Sequence, residues 1–136
     1  MPGYKKNMKH FTIQELCRSD TASRLKINNT PTSDVKKNLE SLVDNVLDPL
    51  REWYKKPITI ASGYRCVPLN KAVKGANGSQ HTYGCAADID TGDRKQNKLL
   101  FDYIQKNLPF DQLIDERNFS WVHVSFKNGN NRKQVL

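Results

Sequence analysis

Cysteine is scarce in this sequence, and no apolar run is long. The 136 residues include three widely spaced cysteines, Cys17, Cys66 and Cys85, with no CxxC pair among them. Neither a disulfide framework nor a cysteine zinc knuckle is therefore indicated. No segment approaches the roughly 18 consecutive apolar residues that a membrane helix needs, so we expect no membrane insertion.

The start of the sequence also lacks the pattern of a secretory signal. It reads MPGYKKNMKHF, in which lysines are followed neither by an apolar core of about 7–15 residues nor by a small-residue cleavage site. We therefore expect synthesis and folding in a cytoplasm, without a signal peptide.

Acidic residues are few compared with basic ones. The sequence contains 22 Lys+Arg and 14 Asp+Glu, which gives a formal net charge of +8. Such a charge favours a polyanionic partner, which can be nucleic acid, anionic lipid or an anionic cell wall. Because the aromatic residues do not interleave with the basic ones, the pattern disfavours nucleic acid.

Length and composition predict a single domain over residues 1–136. The apolar fraction of 37% is ordinary for a globular protein, and no internal repeat or low-complexity tract marks a boundary. Residues 1–10 and 127–136 are expected as polar tails. We expect a monomer.

A capping box and a later apolar pattern predict two helices. Thr12 and Glu15 are spaced so that their side chains can satisfy free amides at the start of a short helix. Another helix is expected from about residue 94 to residue 107. Its inward-facing residues are predicted to be Leu99, Leu100, Tyr103 and Ile104.

A longer helix is predicted between these two. Thr32 or Ser33 can cap its start, and a single apolar stripe continues as far as Trp53. Pro49 lies inside this stripe. Because proline lacks an amide hydrogen and crowds the preceding turn, we expect it to bend or locally loosen the helix.

Four segments with a period of two predict strands. They are residues 58–60, 85–89, 110–116 and 121–126, each bounded by turn residues. Strands that follow one another closely near the end of a chain favour an antiparallel sheet. The predicted class is therefore α+β, with the helices packed mainly on one face of the sheet.

The segment from Ser79 to Asp90 carries the clearest chemical signal. It contains His81, a glycine at Gly84 that allows a turn, and Asp88 on a strand of small residues. Alternation places Asp88 on the face opposite the apolar one. Imidazole nitrogen and carboxylate oxygen are both zinc ligands, and three protein ligands with one open position are typical of catalytic zinc.

His123 is the better candidate for a third ligand among the remaining histidines. The chain has only three, and alternation places His123 with Trp121 and Ser125 on the open face of their strand. The opposite face is apolar and should pack against the helices. Taken alone, a histidine is more often structural or solvated than metal-bound.

Several of these residues together match a known pattern. The sequence has SGYR at 62–65, LN at 69–70, SQH at 79–81 followed by GCAAD at 84–88, and WVHVS at 121–125. This set closely resembles the D-alanyl-D-alanine carboxypeptidase and murein endopeptidase family of zinc peptidases (peptidase M15), over roughly residues 11–126. The resemblance implies the Hedgehog-like fold of that family, with the zinc site on the open face of the sheet.

The resemblance also implies an activity. Zinc would be held by His81, Asp88 and His123, and the reaction would be hydrolysis of a peptide bond next to a D-amino acid in peptidoglycan. The match is closest to small single-domain members of bacteria and bacteriophages. A phage endolysin released to the cell wall would explain how a protein without a signal peptide reaches its substrate.

The general base departs from the better-studied relatives, many of which have a glutamate three residues before the last histidine. This sequence has Ser120 there, so the role passes to Glu116 or Asp115. If residues 117–120 form a four-residue hairpin loop, Glu116 lies opposite Trp121, on the side that also carries His123. Asp115 would face the apolar side, and a β-bulge would reverse the assignment.

Other residues are candidates for contact with the substrate. The resemblance suggests that Arg65 binds a substrate carboxylate or the oxyanion of the reaction, since a guanidinium suits both. Ser79 and Gln80 can bind peptide, although a plain turn role fits them as well. Tyr64 and Trp121 can line the groove, although packing is a sufficient explanation for each.

Three rival functions remain open at this point. Cys85 could act as a nucleophile with His81 as its base, but nothing near it in the sequence suggests a lowered thiol pKa. The same fold could also be a non-catalytic, zinc-containing module that binds cell wall. Nucleic-acid binding is the third. The sequence does not decide between a carboxypeptidase and an endopeptidase.

Overall fold

The computed structural model describes residues 8–136, which form a mixed α+β fold. In chain order the elements are α1 (Ile13–Cys17), α2 (Asp20–Leu25), α3 (Ser33–Leu42), a π-helical segment (Val43–Leu47), α4 (Asp48–Tyr54), β1 (Thr59–Ser62), α5 (Val67–Ala72), a 3-10 turn (Gln80–Tyr83), β2 (Ala86–Asp90), α6 (Arg94–Asn107), β3 (Gln112–Glu116), β4 (Trp121–Ser125) and β5 (Gln134–Val135).

The strands form one sheet in the order β1-β2-β4-β3-β5. The pairs β1–β2, β2–β4 and β4–β3 are antiparallel. The predicted α+β class is confirmed. One face is apolar, because Ala87 and Ile89 of β2 and Val122 and Val124 of β4 all lie in the hydrophobic core. The core also contains buried residues of α3, α4 and α6, so these helices cover that face.

The predicted long helix exists but is interrupted just before Pro49. It starts at the cap Thr32, whose side chain accepts from the Val35 amide at 3.2 Å, and changes to a π-helical segment at Val43–Leu47. This segment ends directly before the first turn of α4, which contains Pro49. A wider turn accommodates a residue that has no amide to donate and that would otherwise clash with the preceding turn.

The other two helices are also where the sequence placed them, with one residue misjudged. The capping box of Thr12 and Glu15 is formed in both directions. Leu100 and Ile104 of α6 are fully buried, but Leu99 is 46% exposed, because it falls on the outer edge of the stripe. No helix within residues 8–136 combines the length and the apolar character needed to cross a membrane.

The two polar ends of the chain have more structure than the sequence suggested. Residues 127–136 were expected as a tail, but Gln134–Val135 form β5, which pairs parallel to β3. The amide of Leu136 also donates to the carbonyl of Leu113 at 2.9 Å. At the other end, the amides of residues 8–10 donate to Asp44 and Asp48, and residues 1–7 lie outside the described part.

Candidate metal centre

His81, Asp88 and His123 meet on the open face of the sheet. Asp88 of β2 lies directly opposite His123 of β4 in the strand register, and their Oδ1 and Nδ1 atoms are 3.1 Å apart. His81 reaches the same oxygen from the 3-10 turn, with Nε2 at 3.3 Å. One ligand atom from each residue lies within 4.8 Å of the others, so the three can hold a metal ion.

A backbone carbonyl fixes the orientation of the His81 ring. Nδ1 of His81 lies 2.7 Å from the carbonyl oxygen of Gly63, a group that can only accept. Nδ1 therefore carries a proton, and Nε2, the nitrogen that faces Asp88, is the one that can bind a metal once it has no proton. Such a partner on the second nitrogen is the usual way in which a ligand imidazole is held.

Asp88 is ionised in this environment. Burial opposes its charge, but hydrogen bonds from His123 and His81 outweigh burial and hold the pKa of the carboxyl well below its usual range. Two imidazoles and one carboxylate thus converge with their ligand atoms on one point. That donor set, which leaves a fourth position open, fits a catalytic zinc site.

The hairpin between β3 and β4 has the length that the sequence predicted. Glu116 pairs with Trp121 across a loop of residues 117–120, and Asp115 pairs with Val122. Ile114 lies opposite His123, so Glu116 is a diagonal neighbour of His123 on the same face. At this separation of about 7–8 Å a long side chain can reach the metal centre.

Asp115 already has a structural partner. Its Oδ1 accepts from the Phe119 amide at 2.6 Å, which closes a hairpin loop whose first three residues have positive φ angles. Ser120, three residues before His123, donates its hydroxyl to the carbonyl of Arg117 at 2.7 Å. Among the described residues, no hydrogen bond or ion pair joins the Glu116 carboxylate.

Arg65 is held beside the metal centre. Burial lowers the pKa of its guanidinium and the charge of Asp88 raises it, so the two side chains are close enough to interact. Asn29 clamps the backbone on both sides of Arg65. Its Nδ2 donates to the carbonyl of Tyr64 at 3.0 Å, and its Oδ1 accepts from the Cys66 amide at 2.8 Å.

Unpaired buried polar atoms are concentrated at the predicted site. Among the described residues, five such atoms have no hydrogen-bond partner: Arg65 Nε, Asn70 Oδ1, Gln80 Oε1, Trp121 Nε1 and His123 Nε2. All but the asparagine belong to residues that the sequence proposed for the site. Because folded proteins rarely leave buried polar groups unpaired, these atoms mark a place where water or a ligand completes the hydrogen bonding.

The remaining candidates for substrate contact are Ser79, Gln80 and Tyr64, and their surroundings favour different roles. Ser79 accepts from the His81 amide at 3.2 Å, which caps the 3-10 turn and supports a turn role. Gln80 donates from Nε2 to Asp111 at 2.7 Å. Tyr64 is only 8% exposed and lies in the hydrophobic core, which favours the packing role over a groove role.

The Cys85 thiol is poorly suited to nucleophilic chemistry. Burial raises its pKa, and the negative charge of Asp111 raises it further. Its Sγ atom lies 3.9 Å from the carbonyl oxygen of Tyr83, to which it donates a weak hydrogen bond. A thiol that stays protonated is a weak nucleophile, so the environment disfavours the cysteine mechanism.

Sequence reasoning missed three residues that support the site. Gly63 orients His81, Asn29 clamps the segment of Arg65, and Asp111 holds Gln80. The glycine carries a weak signal, because it belongs to the SGYR motif. No local pattern indicates the contacts of the other two, since their partners are distant in the sequence.

The fold and the site together define a class of protein. An antiparallel sheet covered by helices on one face, with two histidines and one aspartate converging on the other, fits a site for one metal ion that keeps an open coordination position. Residues 9–125 match the peptidase M15 family. The chain belongs to this family.

A curated relative points in the same direction. Over 39 residues the chain is 49% identical to the zinc D-Ala-D-Ala carboxypeptidase of Streptomyces albus G. The match covers 29% of this chain and 15% of the length of that protein.

Proposed function

We propose that this protein is a zinc-dependent peptidase that hydrolyses peptide bonds next to D-amino acids in peptidoglycan. The observation that carries the proposal is the convergence of His81, Asp88 and His123 in a chain of the peptidase M15 family. The name of the Streptomyces relative supports both the metal and the class of substrate.

The three proposed ligands suit zinc in their atom types, in the orientation of His81 and in the charge of Asp88. His81 offers Nε2, because Gly63 occupies its other nitrogen, and Asp88 is ionised. His123 offers Nδ1, the nitrogen that lies 3.1 Å from Asp88 and that would give up its proton when the ion binds. Zinc held there would polarise the attacked carbonyl and acidify a water molecule.

Glu116 is the proposed general base. It takes a proton from the attacking water as the carbon–oxygen bond forms, and it passes that proton to the amine as the carbon–nitrogen bond breaks. Its place on the face of His123 and its lack of a described partner support this role. Asp115 is less suited, because it holds the Phe119 amide and pairs with Val122 on the apolar side.

Arg65 and Trp121 are proposed to hold the substrate. The guanidinium of Arg65 can stabilise negative charge that develops on the carbonyl oxygen, or it can bind a substrate carboxylate. The buried indole N–H of Trp121 has no described partner and can donate to a peptide carbonyl. Without a ligand, Arg65 Nε and Trp121 Nε1 have no hydrogen-bond partner among the described residues.

Digestion of purified peptidoglycan tests the proposal. We expect new amines from the stem peptides and an unchanged number of reducing sugar ends, because the site resembles an amide-cutting centre and lacks the paired acids of a glycosidase. Mass analysis of the products will distinguish removal of a terminal D-alanine from cleavage of a cross-link. Chelation should stop the release, and added zinc should restore it.

The main alternative is a non-catalytic module that binds the wall. Zinc-loaded protein that binds peptidoglycan of several cross-link types and releases no amine would favour this alternative. The matched control is Glu116→Gln, which should bind the wall as the unaltered chain does while releasing little amine. Action at the cell wall after phage-mediated release is part of the proposal.

A further inference from the structure

Asp111 is a fully buried carboxylate surrounded by donors. Arg132 donates from Nη2 to Oδ2 at 2.7 Å, from Nε to both oxygens at 3.1 and 3.3 Å, and from its backbone amide to Oδ1 at 2.9 Å. The ammonium of Lys127 lies 3.6 Å from Oδ1. A forked arginine pair of this kind fixes the orientation of the carboxylate as well as neutralising its charge.

One further donor to Asp111 comes from the metal centre. Gln80 donates from Nε2 to Oδ2 at 2.7 Å, and it is the first residue of the 3-10 turn that carries His81. The carbonyl of Gln80 also accepts from the amides of Gly84 and Cys85, which close this turn. Side chain and backbone of Gln80 together therefore determine where the turn begins.

The carboxylate also determines how the Gln80 amide is oriented. Because an ionised carboxylate can only accept, the nitrogen of the amide must face Asp111. Oε1 then lies on the other side of the amide, buried and without a described partner. The amide therefore has one defined orientation, on the residue that directly precedes His81 in the sequence.

The arginine lies in a segment beyond the family match. That match ends at residue 125, whereas Arg132 lies between β4 and β5. Pairing of β5 with β3 and a 2.7 Å hydrogen bond from Gln112 to Gln134 attach the segment to the sheet. These attachments bring Arg132 to Asp111 without contacting the metal centre.

The geometry points to Arg132 as a positioning residue for the metal centre, acting through Asp111 and Gln80. Arg132 holds the buried carboxylate, the carboxylate holds Gln80, and Gln80 fixes the turn from which His81 reaches the metal. Without the guanidinium, only Lys127 at 3.6 Å offsets the buried charge, which favours uptake of a proton or rotation of the carboxylate toward water. Either change weakens the hold on Gln80. The inference rests on the proposed function only in taking the ion as zinc.

Zinc affinity, measured on the full chain by competition with a chromogenic chelator, tests the inference. Arg132→Ala should weaken binding roughly tenfold, the lower end of the effect of losing an outer-shell partner. Amide hydrogen exchange of the zinc-free protein supplies a second readout. Exchange should quicken at Gly84 and Cys85 and stay unchanged in α3, whereas a general loss of stability would quicken both.

Two further variants test whether Arg132 acts through Gln80. Gln80→Ala should weaken zinc binding to a similar degree, and the double variant should lose no more than either single one, because both changes interrupt one path. Arg132→Lys keeps the positive charge but lacks the paired N–H donors of the guanidinium, so its zinc affinity should lie between those of Arg132→Ala and the unaltered chain. Gln134→Ala is the matched control. It removes the side-chain hydrogen bond to Gln112 but keeps the backbone bond from residue 134 to Asp111 and all partners of the Asp111 carboxylate, so it should bind zinc as the unaltered chain does.

Several results would overturn the inference. These are unchanged zinc affinity in Arg132→Ala, additive losses in the double variant, and an equal loss in Gln134→Ala. No readout uses hydrolysis, so a chain that binds zinc but cuts no peptidoglycan refutes only the proposed function. If the unaltered chain binds no zinc, exchange at Gly84 and Cys85 in Arg132→Ala decides the inference alone.

Discussion

At the scale of single residues, the site depends on side chains whose partners are already in place. His81 is 2% exposed, and its Nδ1 is committed to Gly63. A side chain buried and oriented in this way has little freedom left to lose when a metal binds. Substitutions at these positions should therefore change metal binding more than they change the fold.

We predict that His81→Ala and Asp88→Ala lose most of their zinc, measured as metal content of the purified chain. The unaltered protein should hold about one zinc per chain, because three converging ligands form one site. His10→Ala is the control, since His10 lies at the surface 2.9 Å from Glu52. Full zinc content in either ligand variant would remove that residue from the site.

We predict that Glu116→Gln keeps its zinc and its fold but lowers kcat by at least about a hundredfold, because the amide cannot take a proton from water. Release of amines from peptidoglycan measures the effect. Asp115→Ala should instead lower stability and leave most of kcat, since Asp115 closes the hairpin loop. The reverse pattern would make Asp115 the base.

At the scale of elements, α1 supports the metal centre by contacting the segment that directly follows β1. The amide of Tyr64 donates to the carbonyl of Leu16 at 2.8 Å. A Cβ at Gly63 would overlap that same carbonyl, so only glycine allows this close approach. The end of α1 thereby fixes the position of the carbonyl that orients His81.

We predict that Gly63→Ala destabilises the protein by about 1–3 kcal/mol, the usual cost of an overpacked site. It should also weaken zinc binding, because the backbone must move and carry the Gly63 carbonyl away from His81. Denaturant unfolding and chelator competition measure the two effects. Gly129→Ala is a control for the side chain alone, since a Cβ there meets nothing within 4 Å, although its positive φ adds some strain. Normal zinc affinity in Gly63→Ala would show that the carbonyl is dispensable.

At the scale of the whole molecule, the buried Asp111 makes stability depend on pH. Hydrogen bonds from Arg132 and Gln80 hold its pKa well below the usual range, and they outweigh burial, which acts in the opposite direction. A carboxyl with a lowered folded pKa stabilises the fold above its unfolded pKa of about 3.9. That contribution is lost as pH falls below this value.

We predict that zinc-free Asp111→Asn is less stable than the unaltered chain at pH 7 and that the difference shrinks below about pH 4. Urea unfolding of both proteins across this range measures the difference. The other carboxylates are common to both chains, so their contributions largely cancel. A difference that stays constant with pH would mean that Asp111 is not ionised in the folded protein.

Much of the architecture could be predicted from the sequence because it depends on near neighbours. The capping box joins Thr12 to Glu15, the helix of residues 94–107 follows one periodic stripe, and a four-residue loop fixes Glu116 opposite Trp121. Alternation along two strands was enough to place Asp88 and His123 on one face. Each of these predictions used a pattern within one helix, one strand or one hairpin.

Other features were decided only by the tertiary structure. Gly63 reaches His81 across 18 residues, Asn29 reaches Cys66 across 37, and Arg132 reaches Asp111 across 21. Periodicity carries no information about such contacts. Leu99 was misjudged for a related reason, because the exposed edge of a helix depends on what packs beside it. Local patterns and the family resemblance therefore indicated the proposed ligands, while long-range packing decided how those side chains are held.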